Sequence, residues 1–287
     1  MVERAIGFTG SSGLKLSASE SGPADGRPVL LLHGGGQTRR AWAATAAALA
    51  ARGYRAIALD LRGHGESDWE PDGDYQLERF ADDLRQVIEQ AGGPRPVLVG
   101  ASLGGLTSIM AAGETPRIPI AALVLVDIVP WLEPKGGEQV VNFMRGTSGG
   151  FDTIEEAAEA IAGYLPHRQR PRSADGVKKN LRQHSDGRWY WHWDPAFVSP
   201  KSRRWSLEEV NARLTAAMQS IAAPMLLVRG TNSEIVPDSA VERFRETMPS
   251  AAIIDIAGAH HMVAGDDNDA FLEALIQFIE NEVVVAI

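Results

Sequence analysis

Six short runs of apolar and β-branched residues recur along this chain: "PVLLLH" (28–33), "YRAIALDL" (54–61), "PVLVGAS" (96–102), "AALVLVDIV" (121–129), "APMLLVRG" (223–230) and "AAIIDIAG" (251–258). A strand with one face in water alternates apolar and polar residues, so an uninterrupted apolar run needs cover on both faces. Helices on the two sides of a parallel sheet supply that cover. The intervening segments fit this plan. "AWAATAAALAARG" (41–53) is alanine-rich and stops on Gly53, and "QLERFADDLRQVIEQAGG" (76–93) carries apolar residues at 77, 80, 84, 87 and 88 before its closing glycines. Both read as amphipathic helices with glycine stops. The alternation predicts a mostly parallel, doubly wound α/β sheet.

The rhythm stops between about 131 and 205, where there is no good strand run, several prolines, and five of the seven tryptophans (Trp131, Trp189, Trp191, Trp193 and Trp205). A chain of 287 residues is long for one domain, but α/β folds of this size often build one core and carry an insertion. The expected organisation is a core formed by 1–130 and 206–287, with 131–205 inserted as a helical cap. The insertion holds 12 Lys/Arg against 9 Asp/Glu, so it is net positive while the rest of the chain is negative. Opposite signs favour docking of the two parts, although individual surface pairs contribute little.

With 28 basic and 37 acidic side chains and a net charge of −9, the chain lacks the basic footprint that a phosphate backbone requires, so no nucleic-acid partner is expected. The N-terminal "MVERAIGF" places Glu3 and Arg4 where a signal peptide needs an apolar run, and no stretch approaches the apolar length of a membrane helix. A cytoplasmic protein with no membrane partner is expected. There are no cysteines, which excludes disulfides, thiolate metal sites and a cysteine nucleophile together.

"VLVGASLGG" runs from an apolar strand into Gly100-Ala101-Ser102-Leu103-Gly104, the G-x-S-x-G nucleophile elbow, followed by the helix-like "LTSIMAAG". Such a turn lifts Ser102 to the carboxyl edge of the sheet, and glycines flank it because side chains there would strike neighbouring backbone. "LLLHGGGQTRRAW" follows the first long strand with three glycines. Gly34, Gly35 and Gly36 can turn backbone amides towards a ligand, and Gly35 is the favoured donor to an oxyanion, with the Leu103 amide at the helix N-terminus as its companion. No Walker-type or dinucleotide glycine pattern is present. "LDLRGHGESD" contributes Asp60, Arg62 and His64 to a turn, read as structural. "GAHHMVAGDDND" (258–269) has two adjacent histidines and then Asp266, Asp267 and Asp269. Adjacent histidines project differently and rarely chelate one ion together, so one catalytic histidine is expected, not a metal site. The aspartates read as the N-terminal residues of a last helix.

In order and spacing, "HGGG", "DLRGHGES", "GASLGG", "RGTNSEIV" and "GAHHM" resemble the α/β-hydrolase superfamily along essentially the whole chain, and in particular its capped serine esterases. The resemblance implies the α/β-hydrolase fold and a triad in the order nucleophile, acid, histidine. It puts Ser102 in the nucleophile slot, Glu234 in the acid slot, and His261 in the base slot, with His260 where the family usually has glycine. Asp127, at the end of "AALVLVD", is the alternative acid, since other members supply the acid from that strand. The chemistry implied is acyl transfer through a serine ester, with no cofactor and no metal. A small-molecule ester or lactone is the expected substrate, and a monomer or homodimer the expected state. Gln37, Trp131, Phe143, Met144 and Trp191 are the candidate pocket residues. The same triad serves carbon–carbon bond hydrolases, cofactor-free haloperoxidases or perhydrolases, and hydroxynitrile lyases. The non-enzyme alternative is a hydrolase-fold ligand receptor.

Overall fold

The computed structural model describes residues 3–132, 134–164, 175–199, 205–259 and 268–283. The chain opens with two antiparallel strands, β1 (Arg4–Thr9) and β2 (Lys15–Ser21), and then enters the alternating part through β3 (Pro28–Leu32), α1 (Ala43–Ala51), β4 (Arg55–Leu59), α2 (Leu77–Ala91), β5 (Val97–Ala101), α3 (Leu103–Gly113) and β6 (Ala122–Val126). Between β6 and the next core strand come helices α4 (Pro134–Gly146), α5 (Ile154–Tyr164) and α6 (Asp175–Lys178), the short strands β7 (Leu181–Gln183) and β8 (Trp189–Trp191), and α7 (Leu207–Gln219). The core resumes with β9 (Met225–Gly230), α8 (Asp238–Thr247), β10 (Ala252–Ile256) and α9 (Asn268–Glu282).

All six apolar runs are strands of one eight-stranded sheet, ordered β1-β2-β4-β3-β5-β6-β9-β10. From β4 to β10 every pairing is parallel, while β1–β2 and β2–β4 are antiparallel. Successive side chains point to opposite faces, and both faces are covered. On one, Leu30, Leu32, Ile57, Leu59, Leu98 and Leu125 pack with Phe80 and Leu84 of α2, Ile109 of α3 and Phe244 of α8. On the other, Val29, Leu31, Ala56, Ala58, Val97 and Val99 pack with Leu49 of α1 and Phe271, Leu275 and Ile279 of α9. Each Val, Leu, Ile or Phe side chain taken fully out of water contributes about 1.5–3 kcal/mol. That gain on both faces is why the five inner runs carry no polar alternation; β10, at the sheet edge, is only partly buried.

The two helices expected at 41–53 and 76–93 form at Ala43–Ala51 and Leu77–Ala91, the second ending on Gly92 at φ 62°. Two features differ from the sequence-based expectation. The β1–β2 pair at the sheet edge carries a half-exposed, alternating pattern in place of an apolar run. The segment between β6 and β9 contains a small antiparallel sheet, in which Leu181 pairs with Trp191 and Gln183 with Trp189. Among the described residues that segment adds no strand to the main sheet, and it has its own apolar cluster, built on Met144, Phe151, Leu181, Trp191, Trp193 and Val198. Among the described residues no helix is long and apolar enough to cross a membrane.

Candidate active site

Strands β3 and β5 are neighbours, yet the chain leaves them in opposite directions, β3 towards β4 and β5 towards β6. Connections that diverge at such a reversal leave a crevice at the carboxyl ends of the strands, where open α/β sheets hold their ligands. The loop after β3 is His33–Gln37, and the turn after β5 is Ser102.

Ser102 has φ 46° and ψ −114°, a conformation that an L-residue keeps only when its surroundings hold it there. Its N–H donates to the Val126 carbonyl at 3.3 Å, and its carbonyl accepts from Gly105 and Leu106 at 2.9 and 3.1 Å. The flanking glycines are a matter of contact. A Cβ on Gly100 would lie 2.4 Å from the Gly104 carbonyl, and one on Gly104 would lie 2.4 Å from the Leu32 carbonyl oxygen. The serine itself stays partly exposed. Leu103 begins α3, where a helix N–H has no intrahelical acceptor.

The glycine loop faces this turn, since a Cβ on Gly34 would lie 3.4 Å from Ser102 Cβ. Most of its polar groups are already used. Gly34 N–H donates to Gln37 Oε1 at 2.9 Å, and the Gly34 carbonyl accepts from Gln37 N–H at 3.1 Å and His33 Nδ1 at 2.8 Å. Gly36 N–H donates to His64 Nε2 at 3.1 Å, and the Gly36 carbonyl is 3.2 Å from His192 Nε2. Gly35 N–H takes part in none of the hydrogen bonds among the described residues. Asp60 and Arg62 brace the neighbouring turn, Asp60 accepting from the amides of Arg39 and Glu66 and Arg62 pairing with Asp83 at 2.7 Å.

The two candidate acids occupy unlike surroundings. Asp127 directly follows β6, is fully buried, and has φ 51°. Its N–H donates to the Val228 carbonyl at 2.7 Å; its carboxylate accepts from Ser233 Oγ at 2.6 Å and Gly230 N–H at 3.2 Å. Ser233 also accepts from the amides of Ile235 and Val236, both at 3.1 Å, which closes the loop after β9 around its hydroxyl. Glu234 is exposed, and its charge adds to burial in raising the Tyr164 phenol above its ordinary value. The expectation from motif alignment favours Glu234, whereas the buried and oriented carboxylate is Asp127.

His260 and His261 lie outside the described residues, as do Asp266 and Asp267; Asp269 stands in the first turn of α9. The chain before the histidines is held at the same edge of the sheet, Asn232 N–H donating to the Ala259 carbonyl at 3.0 Å and Gly258 N–H to Thr231 Oγ1 at 2.8 Å. Among the described residues no group of three histidines and acids is placed to hold a metal ion.

Aromatic and thioether groups from the segment after β6 roof the glycine loop. A Cβ on Gly36 would meet Trp193 at 3.5 Å and Met144 at 3.6 Å, and one on Gly35 would meet Phe197 at 3.5 Å. Trp191 stacks on Trp193 with centroids 4.8 Å apart, and Phe143 stands behind, 5.9 Å from Trp191 and stacked on Tyr164 at 4.5 Å. Of the expected pocket residues, Met144 reaches the loop directly, Gln37 is part of it, and Phe143 and Trp191 support the roof. Trp131 packs into the main core, under the Arg243 guanidinium at 4.3 Å. Sequence reasoning misses Trp193, Phe197, His192 and Ser233. Only "WHWD" (191–194), a histidine between two tryptophans, offers a local signal.

A parallel sheet whose reversal crevice presents a strained serine opposite a glycine loop defines an α/β hydrolase. The chain matches the family model for the alpha/beta hydrolase fold over residues 27–267 and belongs to that family. It is 30% identical over 252 residues to the esterase Rv0045c of Mycobacterium tuberculosis, covering 85% of this chain and 80% of that protein. It is 27% identical over 230 residues to the 2-(acetamidomethylene)succinate hydrolase of Mesorhizobium japonicum, covering 79% of each. Among solved structures, a crystal structure of E-2-(acetamidomethylene)succinate hydrolase superposes with a TM-score of 0.83 at 24% identity, covering 97% of this chain and 100% of the other, which bears on the fold alone. A structure of the M. tuberculosis esterase gives 0.76 at 27% identity over 98% and 93%. Esterases among the relatives support an enzyme.

Proposed function

We propose that this protein is a serine esterase that hydrolyses small carboxylic esters or lactones, with Ser102 as nucleophile, His261 as general base and Asp127 as the acid that orients the base. The carrying observation is Ser102 itself, held at positive φ in the reversal crevice and facing a glycine loop whose Gly35 amide is engaged by no described residue. Asp127 is preferred to Glu234 because an acid that fixes an imidazole tautomer must be rigid and shielded from water. Asp127 is buried between two donors, while Glu234 stands in solvent. The 131–205 segment acts as a cap whose Met144, Trp193 and Phe197 form an apolar lining for the acyl or alcohol group.

In the reaction, Ser102 Oγ attacks the ester carbonyl as His261 takes its proton, and the Gly35 and Leu103 amides bind the oxyanion. Collapse expels the alcohol, protonated by His261, and leaves an acyl-serine. Water activated by the same histidine releases the acid and restores the serine. The esterase among the relatives supports an ester as the bond cleaved. The test is steady multiple turnover of p-nitrophenyl acetate, with a fluorophosphonate probe to identify the nucleophile. Labelling at Ser102 and its loss in Ser102→Ala are expected. Labelling elsewhere, or no turnover by the unsubstituted protein, would overturn the assignment.

A further inference from the structure

The oxyanion amide assigned above is carried by a loop of three consecutive glycines, the backbone least able to hold a conformation by itself. Gly36 stands at φ 76°. Its orientation has to come from groups outside it, and those groups form a chain of peptide planes. In a trans peptide the C=O and the following N–H point in opposite directions, so fixing one fixes the other. Gly35 N–H shares a plane with the Gly34 carbonyl, which is held by His33 Nδ1–H at 2.8 Å and Gln37 N–H at 3.1 Å. Gln37 N–H in turn shares a plane with the Gly36 carbonyl, which is held by His192 Nε2 at 3.2 Å. The ring of His192 has a defined tautomer, because Gly65 N–H donates to its Nδ1 at 2.9 Å and leaves the proton on Nε2.

His192 belongs to the proposed cap, where it follows β8 and stands in sequence between Trp191 and Trp193, whose rings stack on each other, its own ring edge-on to Trp193 at 5.3 Å. Next to it, Asp194 binds the connection between β4 and α2 at two points, its N–H donating to the Gly63 carbonyl at 2.8 Å and its carboxylate accepting from Tyr75 OH at 2.6 Å. The stretch 191–194 is therefore clamped to the turn after β4 on one side and to the glycine loop on the other.

We propose that His192 is a positioning residue that sets the direction of the Gly35 amide through the Gly36 and Gly34 peptide planes, so that oxyanion binding depends on docking of the cap. The inference rests on the esterase reading. A cap contact that presses on the Trp193 and Met144 roof is then transmitted to the hole through His192.

The test compares His192→Ala, His192→Asn and His192→Gln in the full chain. Asparagine keeps an acceptor for Gly65 N–H but is too short to donate to Gly36, whereas glutamine reaches far enough to donate. Removing an oxyanion donor outright costs about a hundred- to a thousandfold in kcat, so misdirecting one is expected to cost about ten- to a hundredfold. The Ala and Asn variants should show that loss in kcat on p-nitrophenyl acetate with KM changed less than about threefold. Glutamine should recover to within about fivefold of the unsubstituted protein. Affinity for a trifluoromethyl ketone, whose serine adduct places an oxyanion in the hole, should fall in step with kcat. A KM effect with kcat and ketone affinity preserved, or equal kcat for Asn and Gln, overturns the proposal. If His192→Ala fails to fold by circular dichroism, the Asn and Gln pair decides. Should the unsubstituted protein show neither turnover nor fluorophosphonate labelling, the esterase reading fails and the His192 role falls with it.

Discussion

Acidification from pH 7.5 to pH 5.0 is expected to remove about 4 kcal/mol of folding stability through His33 and His64, with His192 acting in the same direction. His33, His64 and His192 are buried, and each has one ring nitrogen that accepts from a backbone N–H, of Leu61, Gly36 and Gly65 respectively. A proton added there would meet another N–H, so the folded protein keeps each ring neutral. Burial is the largest cause in all three. It brings His33 down to about 4 and, with the neighbouring His33, His64 to about 3; His192 lies well below its ordinary value through burial and then His64 and His33. In the unfolded chain all three titrate near about 6.5. Below that pH the unfolded state binds protons that the folded state refuses. This contribution is complete above about pH 6.5 and is lost as pH falls towards the folded values. A full proton contributes about 1.4 kcal/mol per pH unit, so His33 and His64 together give about 3 kcal/mol per unit between pH 6 and 5, to which His192 adds in the same direction, a large share of a typical total of about 5–15. Carboxylates add little in this window because their unfolded values lie near about 4. Urea unfolding followed by tryptophan fluorescence, at half-unit steps of pH, measures the slope. A slope below about 1.4 kcal/mol per unit, the effect of a single proton, would refute the assignment of neutral rings at both His33 and His64.

Ser102→Ala should lower kcat by on the order of a millionfold while leaving the unfolding midpoint in place, and a residual rate above a small fraction would move the nucleophile elsewhere. Asp127→Asn should cost at least about a hundredfold in kcat and Glu234→Gln less than about tenfold; the opposite ranking returns the acid to the loop after β9. Gly104→Ala places a methyl group 2.4 Å from the Leu32 carbonyl oxygen, in backbone that has little room to yield. A loss of about 2–4 kcal/mol in stability is expected from urea titration, and a loss under about 1 kcal/mol would mean that the elbow has slack.

The five inner core strands can be read from sequence because burial on two faces leaves its mark in consecutive residues, such as Val29 and Leu31 on one side and Leu30 and Leu32 on the other, while the edge strand β10 is only partly buried. β2 escapes that test, since Leu16, Ala18 and Glu20 face inward while the residues between them do not, and Glu20 is buried only because Arg4 and Arg55 pair with it. Ser102 and the glycine loop are legible for a related reason: their requirements are local, a turn without room for side chains beside a strand end. The proposed acid is different. "RGTNSEIV" offers four residues with side-chain oxygens in succession, Thr231 to Glu234, and nothing local tells which one turns inward. Ser233 turns inward because Asp127, 106 positions earlier, offers its hydroxyl a buried acceptor. His192 is hidden in the same way, its partners Gly65 and Gly36 lying 127 and 156 positions away. Hydrophobic period reports which face of an element is buried, but it carries no record of which distant donor meets which acceptor. In this protein the proposed nucleophile is written in a pentapeptide, and the groups proposed to aim its partners are specified only once β6, β9 and the segment between them have come together.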